Sequence, residues 1–165
     1  DEQKVMEALE RASLLDLKDR LVDSLSGGQR QRAWIAMTLA QDTDVILLDE
    51  PTTYLDLAHQ IDVLDLLYDL NREQNKTIVM VLHDLNLACR YAHFMVAIAD
   101  KKVFAKGDPA DILDAQNVRH IFGLDCHITT DPIFGTPMCI PFGKGNKRAS
   151  LATSGQIDDQ KSALS

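Results

Sequence analysis

Leu25-Ser26-Gly27-Gly28-Gln29 places a hydroxyl and two positions without side chains at the predicted start of a helix. Amides at a helix start have no intrahelical partner and sit at the positive end of the helix dipole. Such a start suits an anion, and glycine lets a phosphate approach the backbone closely. A bare Ser-Gly-Gly is more often just a serine-capped helix after a glycine turn, but the pentapeptide followed by Arg30-Gln31-Arg32 is a rarer string. Asp49 and Glu50 directly follow the apolar run Val45-Ile46-Leu47-Leu48. The carboxyl end of a buried parallel strand is where ligands of open α/β sheets collect. One carboxylate there can hold Mg²⁺, directly or through water, while the next orients and deprotonates a water attacking a phosphoryl group. Acids also end strands simply because they are exposed there. His83 ends a second apolar run, residues 77–82, and precedes Asp84, a good helix cap. A neutral imidazole there can hydrogen-bond a terminal phosphate or hold the attacking water, although a lone histidine is more often a satisfied polar residue.

The elements that must position these residues follow from periodicity. Val5, Met6, Leu9, Ala12 and Leu15 recur at three- and four-residue spacing, which predicts an amphipathic helix ending near Leu17. A second helix is predicted from Ser26 through Trp34, Ile35 and Leu39 to about Ala40. The run Val45–Leu48 reads as a strand buried on both faces, and residues 77–82 as another, which implies a parallel sheet. Residues 57–70 and Leu85–Tyr91 read as helices, and residues 94–99 as a third strand, so strand and helix alternate as in α/β proteins. Lys101-Lys102 is expected to turn a hairpin into residues 103–105. Asp108-Pro109 opens a short helix and residues 117–122 form another. Residues 125–130 and 138–140 read as edge strands, and residues 143–165 as a loose tail rich in Ser, Lys, Asp and Gly.

Composition narrows the function classes. Seventeen Lys and Arg against 25 Asp and Glu leave a net charge of −8, which argues against broad, non-specific binding to nucleic acid. The longest apolar runs fall far short of the ~20 residues of a membrane-spanning helix. Cys89, Cys126 and Cys139 contain no Cys-x-x-Cys pair and suit a reducing compartment as structural thiols. His120, Cys126, His127 and Cys139 are zinc-type ligands whose spacing matches no common site.

The motifs together carry a resemblance. Residues 25–29 resemble the signature motif of ABC transporter ATPases, residues 45–50 a Walker B strand with its adjacent catalytic glutamate, Thr52-Thr53-Tyr54-Leu55-Asp56 a D-loop, and His83 a switch histidine. Within that superfamily the string from Asp49 to Gln60, with Val81-Leu82-His83-Asp84-Leu85-Asn86, is similar to ferric-siderophore, ferric-citrate, haem and cobalamin importer ATPases. Phe122-Gly123-Leu124-Asp125-Cys126, Asp131-Pro132 and residues 135–141 resemble the small C-terminal extension of that group. The resemblance implies a partial P-loop NTPase fold with a mostly parallel sheet. It also implies ATP with Mg²⁺, a second ATPase subunit in a homodimer, a transmembrane permease and, indirectly, a substrate-binding protein. The location it implies is peripheral, on the cytoplasmic face of the inner membrane. On this reading Ser26, Gly27, Gly28 and Gln29 contact a nucleotide held by the partner, Asp49 serves Mg²⁺, Glu50 and His83 act on the attacking water, and Asp56 belongs to the D-loop.

A Walker A loop needs Gly-x-x-x-x-Gly-Lys followed by Ser or Thr. The 165 residues contain none, since Gly143-Lys144 is followed by Gly145. Asp1 is therefore expected to lie inside the helical subdomain of a longer parent, and the chain alone to be inactive. The expected division is residues 1–42 for the end of the helical subdomain and the signature helix, 43–122 for the ATPase core, 123–142 for the extension and 143–165 for the tail. Two other readings compete. A DNA-repair or chromosome ATPase would show a long heptad coiled coil and a basic surface, and a non-catalytic fragment would act only as an interaction module.

Overall fold

The computed structural model describes residues 2–144, so the tail expected at residues 143–165 lies almost wholly outside the described residues. Helix α1, Glu2–Arg11, stops short of Leu17 because Ser13 adopts a left-handed backbone, with φ 54°. Its amide reaches back to the Glu10 carbonyl at 2.9 Å and that of Leu14 to Leu9 at 2.8 Å, the two bonds of a Schellman stop. Leu14 is thereby tucked against Ala8, Ala12 and Ala36, which pins α1 to α2, Gly27–Ala40. Leu15–Leu17 form a separate 3-10 turn. On α2 Gly28, Ile35 and Ala36 are buried, while Trp34 is exposed.

Strand β1, Val45–Leu48, and strand β2, Thr77–Met80, pair in parallel with Val45 opposite Thr77 and Leu48 opposite Met80. Helix α3, Leu57–Gln74, makes the crossover and is closed by Asn75 in the left-handed region, with φ 54°. One face of this pair packs Leu48, Ile78 and Met80 against Ile35, Val63, Leu67 and Leu70. The other face is open among the described residues, with Val45 50%, Leu47 72% and Val79 54% exposed. The expectation of strands buried on both faces is corrected accordingly. Four apolar residues in a row do not reveal which layers cover them, and here α2 and α3 both lie on one side.

After α4, Leu85–Tyr91, strand β3, Met95–Ala99, turns directly into β4, Lys102–Gly107. The turn residues are Asp100 and Lys101, both with positive φ (50° and 61°), the backbone of a tight hairpin. Asp108 and Asp114 cap α5, Pro109–Ile112, and α6, Ala115–Phe122. A last hairpin joins β5, Cys126–Thr130, to β6, Pro137–Pro141. Two of the three strand pairings among the described residues are thus antiparallel, and the parallel ladder is β1–β2 alone. The physical reason is connection length: short turns can only fold a strand back on its neighbour.

A second core joins Cys89, Leu113, Val118, Cys126 and Cys139 under the last hairpin. The Asn86 side chain both donates to the Cys139 carbonyl at 3.2 Å and accepts from its amide at 2.7 Å, taking the place of a neighbouring strand. Arg90 bonds the buried Asp131 at 2.8 Å and lies 4.2 Å from the Phe134 ring centre. The three thiols are unpaired and buried, and burial pushes Cys89 and Cys139 up to about 11, which leaves them inert at neutral pH.

The open face of β1 and β2 is apolar and among the described residues its ladder has two strands, so we expect the 165-residue chain to self-associate. Light scattering should report oligomers whose size grows with concentration, and Leu47→Lys with Val79→Lys should shift them toward monomer. A strictly monomeric 165-residue chain without these substitutions would refute this.

Candidate active site: a clamped carboxylate and a capped glycine helix

Parallel strands in register end at the same edge. Glu50, two residues beyond Leu48, and His83, three beyond Met80, therefore emerge side by side. The His83 Nε2 lies 2.7 Å from Glu50 Oε1. A carboxylate only accepts, so Nε2 carries the hydrogen and Nδ1 is left as the second ring nitrogen. Glu50 itself has φ 48°, and the chain then curls through the buried Pro51 so that the Thr53 amide meets the Glu50 carbonyl at 3.2 Å. That curl lets the Thr53 hydroxyl donate to Glu50 Oε2 at 2.8 Å. A non-glycine residue in the left-handed region costs about 1 kcal/mol or more, a strain typical of functional positions.

Each Glu50 oxygen thus takes one donor, which fixes the carboxylate plane and leaves lone pairs for a water. The hydrogen bond from His83, followed by that from Thr53, holds its carboxyl below the ordinary 4.5. Glu50 is consequently ionised at neutral pH and remains reachable, with its side chain 40% and that of His83 69% exposed. A cleft of about 210 Å³ opens beside them, lined by Thr52, Tyr54, Gln60 and Asp84 among others. Asp49 is exposed at the end of β1.

The second cluster is built at the start of α2. Ser26 Oγ accepts from the Gln29 amide at 3.3 Å and the Gln29 side chain accepts from the Ser26 amide at 3.0 Å, a reciprocal capping box. The box leaves the Gly27 and Gly28 amides without helical partners at a helix start that carries no acid in its first turn. Asp56 caps α3, its Oδ1 accepting from the His59 amide at 3.0 Å and contacting the ring Nδ1 at 2.8 Å. Those two bonds, the backbone one first, hold its carboxyl below 3.8. The His59 ring in turn lies against Gly28.

The structure therefore brings Glu50 and His83 together, and Ser26, Gly28, Gln29 and Asp56 into a neighbourhood joined through His59. Two members were missed by sequence reasoning: Thr53, a local turn away from Glu50, and His59, three residues after the Asp56 cap. The spacing Asp-x-x-His at a helix start was the available signal for the second. Among the described residues no three His, Cys, Asp or Glu side chains form a metal set, and no helix is long and apolar enough to cross a membrane.

Residues 1–53 match the family model described as ABC transporter. The chain is 63% identical over 154 residues to an achromobactin transport ATP-binding protein of Dickeya dadantii, covering 92% of this chain and 57% of that one. It is 53% identical over 144 residues to a ferric enterobactin transport ATP-binding protein of Escherichia coli, covering 87% and 53%. A metal-chelate type ABC transporter solved in an inward-facing conformation superposes with a TM-score of 0.79 at 35% identity, over 86% of this chain and 57% of that one. The chain thus spans about half the length of the curated relatives it matches.

Because Glu50 is stabilised as a carboxylate, its contact with His83 is complete above the ordinary value of 4.5 and is lost as pH falls through its depressed value. We expect His83→Ala to move the Glu50 titration upward toward 4.5, read by carboxyl carbon NMR. An unchanged midpoint would show that the clamp does not act on Glu50. From its motifs, its fold and its relatives, the chain belongs to the ABC transporter family of ATP-binding proteins.

Proposed function

We propose that this chain supplies the signature helix, the water-activating carboxylate and the switch histidine of an ATP-hydrolysing motor subunit. The system it would drive is an importer of iron-siderophore or a related metal chelate. The observation that carries the reading is the Glu50 carboxylate clamped between His83 Nε2 at 2.7 Å and Thr53 Oγ1 at 2.8 Å beyond the parallel β1–β2 ends. The transported chelate is inferred from the printed roles of the relatives in achromobactin and ferric enterobactin transport.

In this reading Glu50 orients a water through its remaining lone pairs and takes its proton as the water oxygen bonds the terminal phosphorus, whose bond to the bridging oxygen breaks with ADP as the leaving group. Its depressed affinity for protons weakens it as a base but keeps it in the accepting form at cellular pH. His83 keeps the carboxylate in one plane, and its Nδ1, the acceptor of a neutral ring that donates from Nε2, can accept a hydrogen bond from the attacking water. The free amides of Gly27 and Gly28, with the Ser26 hydroxyl, receive the phosphate of a nucleotide held by a second ATPase subunit, and Asp56 anchors the D-loop between them. Asp49 offers a single hard oxygen donor, which suits Mg²⁺ because that ion takes one or two carboxylates together with nucleotide phosphates. Mg²⁺, when bound with nucleotide, neutralises phosphate charge. Residues 1–42 would belong to the helical subdomain, 43–122 to the ATPase core and 123–142 to an extension. The assembly would sit at the cytoplasmic face of the membrane against a transmembrane permease fed by a substrate-binding protein.

Glu50→Gln in the full-length subunit, assembled with its permease, should lower ATP turnover by at least about tenfold, given the ~10²–10⁴-fold contribution of a general base. ATP binding and ATP-held dimers should persist, because size is kept, the amide oxygen can still accept from His83, and the Thr53 hydroxyl can turn to accept from the amide nitrogen. Turnover above roughly a tenth of wild type would remove Glu50 from the role of principal base. We expect the 165-residue chain by itself to bind no ATP tightly, since its sequence holds no Gly-x-x-x-x-Gly-Lys-Ser/Thr loop. Sub-micromolar binding by calorimetry would overturn that expectation.

A further inference from the structure

Gly28 is buried inside a helix of ordinary backbone, so conformation does not call for glycine there. Space does. A Cβ built on Gly28 would lie 2.8 Å from Cγ and 2.9 Å from Nε2 of the His59 ring, nearer than real Cβ contacts come, with Cδ2 closer still. The neighbouring Gly27 would meet only Leu55 Cδ2, at an ordinary 4.0 Å.

The ring cannot retreat without loss. Its Nδ1–H donates to Asp56 Oδ1 at 2.8 Å, and the same oxygen caps α3 by accepting the His59 amide at 3.0 Å. The preceding Leu55 carbonyl is held by Gln60 Nε2 at 2.8 Å, which fixes the loop from the other side. Behind the ring, Arg32 reaches Asp62 at 3.5 Å and Ile35 packs on Val63, so α2 and α3 are held at a set separation. One imidazole therefore fills the gap between two helix starts, bonded to one and in van der Waals contact with the other.

We propose that His59 is a positioning residue that couples the turn at residues 52–56 to the phosphate-facing glycines, and that position 28 is glycine because His59 occupies its Cβ space. A shift of Asp56 carries the ring with it, and the ring moves the Gly27 and Gly28 amides. This rests on the reading of those amides as phosphate donors.

The test is a double-mutant cycle in the full-length subunit with its permease: Gly28→Ala, His59→Ala and the pair, followed by steady-state ATP hydrolysis. Gly28→Ala alone should lower kcat/KM sharply, and truncating His59 in its presence should restore about tenfold, the scale of coupling between touching residues. If the two losses simply multiply, Gly28 answers to the ligand alone and the proposal falls. The thermal midpoints of the same three nucleotide-free subunits give a second readout: the double variant should melt at or above Gly28→Ala. A double variant melting below both single ones overturns the proposal as well. A wild-type complex that hydrolyses no ATP would refute the functional reading instead, and the thermal cycle would then decide the coupling.

Discussion

The register of one parallel ladder organises this molecule. Pairing Val45 with Thr77 and Leu48 with Met80 brings two strand ends to one edge, and everything proposed for catalysis hangs from that edge. A slip of one residue would turn Ile46, which is almost wholly buried, toward the open face and carry Glu50 away from His83. The register is held by an uneven burial, with Ile46, Ile78 and Met80 drawn toward α2 and α3 while Leu47 and Val79 remain outside. Burying a single such side chain contributes roughly 1.5–3 kcal/mol, and here several act on the same face.

The segment from Glu50 to His59 belongs to both clusters. It leaves β1 through a left-handed glutamate, folds Thr53 back on that glutamate, and enters α3 through the Asp56 cap that holds His59. Local hydrogen bonds set its shape at both ends, so a change at either end has few places to dissipate. Tyr54, fully exposed with φ 65°, is its outermost point. The polar contacts are mostly exposed and individually weak, and their effect is geometric: they choose which oxygen faces which donor.

Much of this was legible in the sequence where the cause is local. The Ser26 and Asp84 caps, the Asp108-Pro109 helix start, the β3–β4 hairpin and the apolar β1 and β2 runs all depend on residues within a few positions of one another. Glu50 and His83 were each legible as residues that follow an apolar strand run, though their contact was not. What the sequence withheld depends on packing. The exposed face of β1 needs knowledge of which side α2 and α3 occupy. The early stop of α1 needs Ser13 to go left-handed so that Leu14 can be buried, and the contact of His59 with Gly28 needs two helix starts to meet. Thr53 was hidden differently, because its bond to Glu50 requires a positive φ at a residue that is not glycine.

The last hairpin has a consequence in time rather than in space. Asn86 finds Cys139 across 53 residues of chain, and Arg90 finds Asp131 across 41. Contacts of such separation close after local helices and turns have formed. On a ribosome, α4 would leave the exit tunnel well before the hairpin that it is to hold. Until residues 126–141 arrive, the Asn86 side chain has no Cys139 backbone to bond and Cys89 lacks the cover of Cys126 and Cys139.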